Sequence, residues 1–252
     1  MYLTTKALVL RVTDYNDRDC LLTLLTPHNG KLTVKARGLR RKNSPLIAPC
    51  QLLAYGDFTL FEYRNSFTIN EATSIELFRN LRRDLGKLSL GTYFAQVAEV
   101  LSQEDLPNPE LLSLVLNCLH ALSELNLPEE MVKAAFELRA GCLAGFQPDL
   151  SACHGCGGGE AVLFDLSEGL LLCDKCRNLI SGGIRLPVSA GTLEAMRYIS
   201  LCEPKRMFAF SLGAENMTQL SQISEAFLTT QLERGFSTLD FYKSLLFTQS
   251  LQ

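Results

Sequence analysis

The sequence is poor in the residues and motifs on which many enzymes rely. It has no tryptophan and only three histidines, scattered at His28, His120 and His154. It also lacks the phosphate-cradling glycine loop, the G-x-S-x-G turn and the H-E-x-x-H helix. No histidine has the glutamate two residues later that zinc deaminases use. We therefore predict no enzymatic activity, although an undetected hydrolase built on carboxylates would escape this search.

Long apolar runs are missing as well. None approaches the roughly 18–20 residues of a membrane-spanning helix. Residues 1–6 lack the charged start and the apolar stretch of a signal peptide. The nine cysteines are odd in number and fit a reducing compartment better than a disulfide framework. We expect a cytoplasmic protein with no membrane partner.

An overall excess of positive charge is also absent, because the net charge is −3. The charge is divided unevenly, however. Residues 1–83 hold 13 Lys and Arg against 7 Asp and Glu, whereas the remainder holds 11 against 20. A basic first third and an acidic remainder suggest different partners for different domains.

The most basic stretch runs from Lys31 to Lys42. Gly30 precedes it and can take the positive φ that a tight reversal between strands needs. After this turn, apolar and polar residues alternate up to Arg37, which predicts a strand with one apolar and one cationic face. A cationic loop follows Gly38. The basic residues of the stretch are Lys31, Lys35, Arg37, Arg40, Arg41 and Lys42.

Two interpretations of this stretch compete. A solvated edge strand can carry lysines that deter aggregation. The Arg40-Arg41-Lys42 cluster, with no acidic residue beside it, instead favours a polyanion lying across the sheet. We therefore predict that the stretch binds nucleic acid.

The first 75 or so residues are predicted to be β structure. Five strands are indicated, at residues 2–15, 20–25, 31–37, 51–64 and 67–73. So short a sheet loses its edges most easily by closing, and a five-stranded barrel of this size is the OB architecture. No clear helix is indicated between the third and fourth strands, which leaves the detailed topology open.

The later strands are aromatic. Proteins that bind single-stranded nucleic acid combine a cationic groove with aromatic platforms on which bases stack. Phe61 and Tyr63 share one face and are candidates for base contacts. Phe58 and Phe67 are expected to lie in the barrel core.

Around Ser74 the apolar residues take up the three- and four-residue spacing of a helix. Arg79, Arg82 and Arg83 form a second basic cluster at this junction, which either extends the phosphate track or covers the hinge. Helices are predicted at residues 88–103, 110–125 and 128–144, then near 193–203 and along 216–246. They are apolar on more than one face, so we expect a bundle.

Four cysteines have the spacing of a structural zinc site. They are Cys153, Cys156, Cys173 and Cys176, two C-x-x-C pairs separated by sixteen residues. Neighbouring glycines, including Gly159, permit tight turns, and a hairpin is predicted over residues 162–172. Four thiolates fill a tetrahedral Zn²⁺ and leave no position for substrate, so we expect one structural ion. A redox dithiol pair is the alternative.

These patterns together predict an α+β multidomain protein. An OB-type five-stranded barrel is assigned to residues 1–78 and an α-helical bundle domain to residues 79–150 and 179–252. The four-cysteine zinc ribbon is an insertion at residues 151–178. The barrel is the predicted site for nucleic acid, and the acidic helical portion is better suited to protein partners.

Four segments of the chain resemble the bacterial DNA repair and recombination mediator family RecO. They are D-Y-N-D-R-D-C-L-L-T-L-L-T-P-H-N-G-K-L at 14–32, A-R-G-L-R-R at 36–41, F-E-L-R-A-G-C-L-A-G-F-Q-P-D-L with the following C-x-x-C at 136–156, and G-G-I-R-L at 182–186 before a terminal helical segment. The third segment is fairly specific. The resemblance extends along nearly the full chain.

The resemblance implies a barrel, a helical domain and a zinc ribbon. It also implies binding of single- and double-stranded DNA and annealing of complementary strands, with RecR and the single-stranded-DNA-binding protein (SSB) as partners in loading RecA. Where members of the family have basic residues on the barrel face, this sequence has Lys35, Arg37, Arg40 and Arg41. A nucleoid-associated location follows from that role.

A groove in the helical portion is expected to receive the C-terminal tail of SSB, an acidic peptide that ends in apolar residues. The candidate cations for it are Arg139, Arg185, Arg197, Lys205 and Arg206. A competing hypothesis from another functional class is a zinc-ribbon adaptor that joins proteins without binding DNA. Affinity for an oligonucleotide, measured at two salt concentrations, separates the two.

Overall fold

The computed structural model describes residues 1–64, 66–125, 127–158, 160–178 and 183–249. The chain forms two compact units, which are described separately: Met1–Asn126 with Phe236–Gln252, and Leu127–Gly235. Asn65, between the predicted fourth and fifth strands, and Gly159 of the cysteine motif lie outside the described residues, as does residue 179, at which the second part of the predicted helical domain begins. No helix in the described ranges has the length and apolar character to cross a membrane.

Five strands of the first unit close into a barrel, as predicted. They are β1 (Tyr2–Asp14), β2 (Cys20–Leu25), β3 (Lys31–Ala36), β4 (Tyr55–Tyr63) and β5 (Ser66–Glu76), in the order β1-β2-β3-β5-β4. The alternation in β3 directs Leu32, Val34 and Ala36 into the barrel core. Phe58 is fully buried in the same core, and Phe67 packs against it, so both expectations for these rings are confirmed.

The fourth strand begins later than predicted. Residues 37–54, all of which are described, form turns without a helix. Leu53 has a φ of 64° and donates its N–H to the carbonyl of Val9 at 2.9 Å. This left-handed conformation cannot continue a strand, so the prediction of strand at residues 51–54 was wrong.

The change from strand to helix also comes later than predicted. β5 continues to Glu76, which is the partner of Tyr55 on β4, so Ile75 is an exposed strand residue instead of part of a helix face. The chain then turns at Phe78, whose φ is 47°, and passes through a 3-10 turn before the first helix. Pairing with β4, which continues past an irregularity at Ile75, overrides the apolar spacing.

Within the described residues, six helices follow, divided between the units. They are α1 (Leu85–Leu101), α2 (Pro109–Glu124), α3 (Glu129–Leu143), α4 (Ala190–Leu201), α5 (Ala214–Gln231) and α6 (Ser237–Gln249). The segment predicted as continuous over 216–246 is two helices, because Glu233 has a φ of 49°. The first unit contains α1, α2 and α6 and the second contains α3, α4 and α5, whereas a single helical domain was predicted.

α1 covers the outer face of the barrel in the first unit. It contacts β1, α2 and α6, and Leu8 and Leu10 on the outer face of β1 are buried. Tyr93 and Phe94 are fully buried, and the ring centroid of Tyr93 lies 5.5 Å from that of Phe236. Helix α1 is therefore apolar on several faces because it packs against both sheet and helices.

The second unit has a buried charge network between α3 and α5. The Nζ atom of Lys133 lies 3.0 Å from a carboxylate oxygen of Glu137 and 2.8 Å from one of Glu225. Burial alone would lower the pKa of Lys133, but the two carboxylates outweigh it and raise that pKa. Ser224 donates to Glu137 at 3.0 Å, so the buried charges are paired and hydrogen-bonded, as burial requires.

A four-stranded sheet completes the second unit. Its strands are β6 (Asp149–Cys153), β7 (Ala161–Asp165), β8 (Leu170–Cys173) and β9 (Arg185–Pro187), in the order β6-β8-β7-β9. The predicted hairpin is present as β7 and β8. Its turn is held by the buried carboxylate of Asp165, which accepts the N–H groups of Ser167 and Glu168 at 3.0 and 3.1 Å.

Gly30 provides a test of the barrel construction. Its φ is +61°, and a Cβ at this position would lie 2.3 Å from the carbonyl oxygen of Gln103. Because left-handed strain and a backbone clash add, we expect Gly30→Ala to lower the free energy of unfolding by about 2 kcal/mol or more. Urea denaturation of the full chain measures this.

Gly38→Ala is the matched control in the same unit. Its φ is +66°, but an added Cβ meets only the flexible side chain of Arg41, at 3.2 Å. The loss should therefore be about 1 kcal/mol, from left-handed strain alone. If the two variants lost the same free energy of unfolding, this would contradict the proposed backbone clash at Gly30.

Candidate nucleic-acid groove and candidate metal centre

Two adjoining cavities form a groove on the barrel surface. One has a volume of about 690 Å³ and separates the loop at residues 37–46 from residues 69–73 of β5. The other, of about 410 Å³, adjoins the end of β4. Both are lined by Arg37, Ile69 and Asn70. Together they are named the barrel groove, whose lining residues are Tyr2, Arg37, Gly38, Arg41, Asn43, Ser44, Pro45, Leu46, Phe61, Tyr63, Ser66, Thr68, Ile69, Asn70, Glu71, Ala72 and Thr73.

The barrel groove exists because β3 and β5 pair over a short length. Their paired positions are Val34 with Phe67 and Lys35 with Thr68. β3 ends at Ala36, while β5 continues to Glu76 with β4 as its partner. The other edge of β5 therefore faces the groove and the basic loop.

Two of the predicted DNA-contact residues, Arg37 and Arg41, line this groove. Both side chains are exposed. Within the described parts of the chain, neither guanidinium forms an ion pair. Guanidinium groups without a carboxylate partner are well suited to bind phosphate oxygens.

Two further predicted cations, Lys35 and Arg40, are paired with acidic residues. The Nζ atom of Lys35 lies 3.5 Å from a carboxylate oxygen of Asp19 and 4.2 Å from the ring centroid of Tyr15. The guanidinium of Arg40 pairs with Asp14. The acidic turn at residues 14–19 thus offsets part of the charge that the sequence places on this face.

The same turn fixes the start of the basic loop. Asp19 accepts the N–H of Gly38 at 2.8 Å, and this hydrogen bond is the main cause of the lowered pKa of Asp19. The N–H of Arg40 donates to the carbonyl of Arg18 at 3.1 Å. Backbone hydrogen bonds therefore hold the loop beside the groove.

Arg82, a predicted DNA contact that stays a prediction, has a structural role. Its guanidinium is half-buried and donates to the carbonyl of Leu77 at 3.3 Å and to that of Leu52 at 2.5 Å. Burial lowers the pKa of this side chain. Arg82 thus ties the loop before β4 to the end of β5.

The other basic candidates lie outside the barrel groove. Lys31 donates to the carbonyl of Glu99 at 3.0 Å. Lys42, Arg79 and Arg83 are exposed and absent from the residues that line the groove. Their contact with DNA stays a prediction.

An aromatic cluster lines the other end of the groove. Phe61 and Tyr63, the two predicted base contacts, are 40% and 59% exposed. Tyr2 joins them, with its ring centroid 5.3 Å from that of Phe61. The guanidinium of Arg64 lies 5.1 Å from the ring centroid of Tyr63. Rings exposed in this way provide surfaces on which bases can stack.

Sequence reasoning missed Tyr2, Asn70 and Glu71 as lining residues. The pairing of β1 with β4, in which Tyr2 is opposite Phe61, is what brings Tyr2 into the cluster. Asn70 and Glu71 carry no motif, so their location depends on the course of β5. No local signal in the sequence could have identified them.

The four cysteines of the predicted metal site come together. Their sulfur atoms all lie within 4.8 Å of one another. β6 and β8 end at Cys153 and Cys173, and Cys156 and Cys176 follow in adjacent turns. Sulfurs bonded to one zinc at about 2.3 Å are about 3.8 Å apart in a tetrahedron, so the size of the cluster fits such an ion.

Electrostatics also favours a cation between these sulfurs. The N–H of Cys173 donates to the sulfur of Cys153 at 3.1 Å, and such backbone hydrogen bonds lower the pKa of Cys153 to about 6. Burial and the neighbouring sulfurs raise the pKa of Cys176 to about 12. Four thiolates this close repel one another unless a metal ion balances them.

Two of the predicted partner-binding cations, Arg139 and Arg185, are engaged within the second unit. Arg139 donates to three carbonyls at the end of α4, with a shortest distance of 3.0 Å to that of Ser200. Arg185 lies 3.0 Å from the buried carboxylate of Asp165. Each stabilises local structure.

The other three candidates lie near one surface of the second unit. Arg197 donates to the carbonyl of Leu150 at 2.7 Å and lines two adjoining cavities of about 290 and 470 Å³. Leu201, which is 80% exposed, lines both as well. Arg206 lines the larger one, and Lys205 is an exposed neighbour.

Comparison with known proteins connects both units to one family. The family model for the N-terminal region of recombination protein O matches residues 1–78, and the model for its C-terminal region matches residues 82–240. The first match has the bounds predicted for the barrel domain.

Curated relatives match almost end to end. The DNA repair protein RecO of Acetivibrio thermocellus is 29% identical over 246 residues, which is 97% of each chain. That of Alkaliphilus metalliredigens is 29% identical over 97% of this chain and 100% of its own. That of Symbiobacterium thermophilum is 30% identical over 94% and 95%. The chain belongs to the RecO family of DNA repair proteins.

Proposed function

We propose that this protein is a non-enzymatic mediator of DNA repair and recombination. It binds single- and double-stranded DNA, anneals complementary strands and helps to load RecA onto single strands coated with SSB. The observation that carries this proposal is the barrel groove, which is lined by Arg37 and Arg41, without ion pairs to described residues, and by the exposed rings of Phe61 and Tyr63. The family membership supports the same role.

The combination of cations and exposed aromatic rings in the groove suits annealing. Two strands can pair only when the repulsion between their phosphate backbones is reduced while most bases stay accessible. Cations supply the first requirement without reading the sequence. Stacking on an aromatic ring tolerates any base, because every base has a π face.

The remaining cations extend the phosphate track in this proposal. Lys31, Lys42, Arg79 and Arg83 add positive potential around the barrel, and Lys35 and Arg40 exchange their carboxylate partners for phosphate when DNA binds. Exposed ion pairs contribute little, about 0–1 kcal/mol. Arg40 and Asp14 are both largely exposed, so such an exchange is energetically accessible.

The cysteine cluster holds one structural Zn²⁺ in this proposal. Bound zinc would join the ends of β6 and β8 to the turns that carry Cys156 and Cys176. Four thiolate ligands complete a tetrahedral site, so the ion stabilises the ribbon and takes no part in chemistry. The close sulfur cluster is the supporting observation.

The surface around Arg197 is the proposed site for the SSB tail. Arg197 and Arg206 provide cations beside the exposed side chain of Leu201, a combination that fits an acidic peptide with apolar end residues. RecR is a further proposed partner, and RecA is an indirect one. The protein acts at the nucleoid in the cytoplasm.

The zinc-ribbon adaptor without DNA affinity is the second candidate. The pairing of Lys35 and Arg40 with acidic residues favours it, because it reduces the positive charge of the barrel face. The deciding experiment is annealing of complementary strands pre-coated with SSB, together with titration of a labelled oligonucleotide at two salt concentrations. Absence of both activities would favour the adaptor.

Neutralising the two groove arginines tests the phosphate track. We expect the double variant Arg37→Gln/Arg41→Gln to bind single-stranded DNA about tenfold or more weakly at low salt. The slope of log K against log salt should fall by about 1.4, because each lost phosphate contact contributes about 0.7. Fluorescence anisotropy measures both quantities.

The control for this pair is Lys6→Gln, which removes a cation from β1 outside the groove lining. It should leave affinity and slope nearly unchanged. If the control and the double variant weakened binding equally, general charge and not the groove would explain the interaction.

Removing an aromatic ring tests the stacking platform. We expect Phe61→Ala to weaken single-strand binding by about 1–3 kcal/mol, the usual contribution of one stacked base. The salt slope should not change, because no charge is lost. Phe241→Ala, which removes an exposed ring from α6, is the control. An altered slope, or an unaltered affinity, would exclude stacking on Phe61.

Metal analysis tests the zinc proposal. We expect about one Zn²⁺ per chain, and Cys173→Ser should lose it because a tetrahedral site needs four donors. Hydrogen exchange of residues 149–173 should then accelerate while that of the barrel stays slow, because the ribbon has its own core. Cys202→Ser, outside the cluster, should keep the metal. If the purified protein held no metal, or held iron, the proposal of a structural Zn²⁺ would be wrong.

A further inference from the structure

An irregularity in β5 lies in the middle of the barrel groove. Thr59 of β4 is the partner of Glu71, and the next residue, Leu60, is the partner of Ile69. Asn70 is thus an extra residue without a partner on β4, which is the arrangement of a β-bulge. Bulges redirect side chains and recur beside functional sites.

The bulge breaks the alternation of β5. Ile69 is buried, and both Asn70 and Glu71 are exposed and line the groove. A regular strand would send one of the two to the opposite face. Two consecutive polar side chains therefore share a groove whose lining includes Arg37 and Arg41.

Glu71 remains without an ion pair in this setting. Although Arg37 and Arg41 line the same cavity, no cationic nitrogen of a described residue lies within ion-pair distance of its carboxylate. The groove consequently has two unlike walls. The basic loop attracts phosphates, and the β5 wall repels them and offers hydrogen-bonding groups.

We propose that Asn70 and Glu71 contact the edge of a base and favour cytosine over uracil in single-stranded DNA. This inference rests on the proposed function, since it requires a single strand in the barrel groove. With its phosphates at Arg37 and Arg41, a bound strand turns its bases towards the β5 wall. The bulge is what brings both polar side chains to that wall.

The chemistry of the two side chains sets the preference. A carboxylate only accepts hydrogen bonds, so at C4 of the base Glu71 can accept from the amino group of cytosine but is repelled by the O4 acceptor of uracil. The preference therefore requires that Glu71 contacts C4 and not the N3–H of uracil. The amide of Asn70 both donates and accepts and tolerates either base. Discrimination therefore comes from Glu71.

The test compares oligo(dC) with oligo(dU) of about 15 nucleotides, a length within the range of barrel binding sites. These probes differ at C4, which carries an amino group in cytosine and O4 in uracil, and at N3, where only uracil carries a proton. Fluorescence anisotropy with the full chain should give dC the tighter binding, by about three- to tenfold. In Glu71→Gln the ratio should fall to about one, because a glutamine amide can donate to O4 as well as accept. Asp17→Asn, which removes an acid of the same barrel outside the groove, should keep the ratio.

The outcomes separate this inference from the proposed function. Equal, salt-sensitive affinity of the unaltered protein for both probes would overturn the base contact and leave DNA binding intact. Equal tightening of both probes by Glu71→Gln would also overturn it, since Glu71 would then act only by repelling phosphate. Binding of neither probe, or of any other single strand, would overturn the proposed function itself.

Discussion

The short parallel pairing between β3 and β5 is the constraint on which the rest of the barrel surface depends. It closes the barrel through two paired positions, Val34 with Phe67 and Lys35 with Thr68. Longer pairing would cover the edge of β5 and carry the basic loop away from it. Because β3 ends at Ala36, the chain can turn at Gly38 and place Arg37 and Arg41 opposite a strand edge. The groove therefore results from strand lengths.

Acidic residues determine which cations remain available for a ligand. Asp19 has a lowered pKa because it accepts the N–H of Gly38, and it thus stays charged while anchoring the basic loop. Its second contact, with Lys35, lowers the charge of the same face. Asp19 thus fixes the loop and also competes with a phosphate for Lys35. Of the cations that line the groove or lie beside it, Lys35 and Arg40 are thus paired with acidic residues, whereas Arg37 and Arg41 form no ion pair with a described residue.

Local patterns predicted the parts of the fold that local physics decides. The apolar run at residues 20–25 was sufficient for β2, which is buried along nearly its whole length. The alternation at residues 31–36 was sufficient for β3, because only one face of that strand is buried. The cysteine cluster was predictable because each C-x-x-C pair directs two sulfurs to one point. Residues 51–54 and 74–76 were assigned wrongly because a left-handed Leu53 and continued pairing with β4 overrode the apolar spacing. Likewise, nothing in the sequence distinguishes Arg82, which binds two carbonyls, from the exposed Arg83 beside it.

Annealing limits how tightly a barrel groove should hold a single strand. A mediator must release the bound strand into a duplex. Its affinity for that strand therefore has to come from contacts that can be exchanged when a second strand arrives. Contacts between Arg37, Arg41 and phosphates meet this need, because they weaken as salt or competing cations take over. In the proposed groove, a base that stacks on Phe61 would leave that ring when it stacks in a duplex. The proposed arginine–phosphate contacts would persist on a duplex but exchange with cations of the solution. Under this proposal, base pairing therefore competes with the aromatic contact, while the arginines serve single and double strands alike.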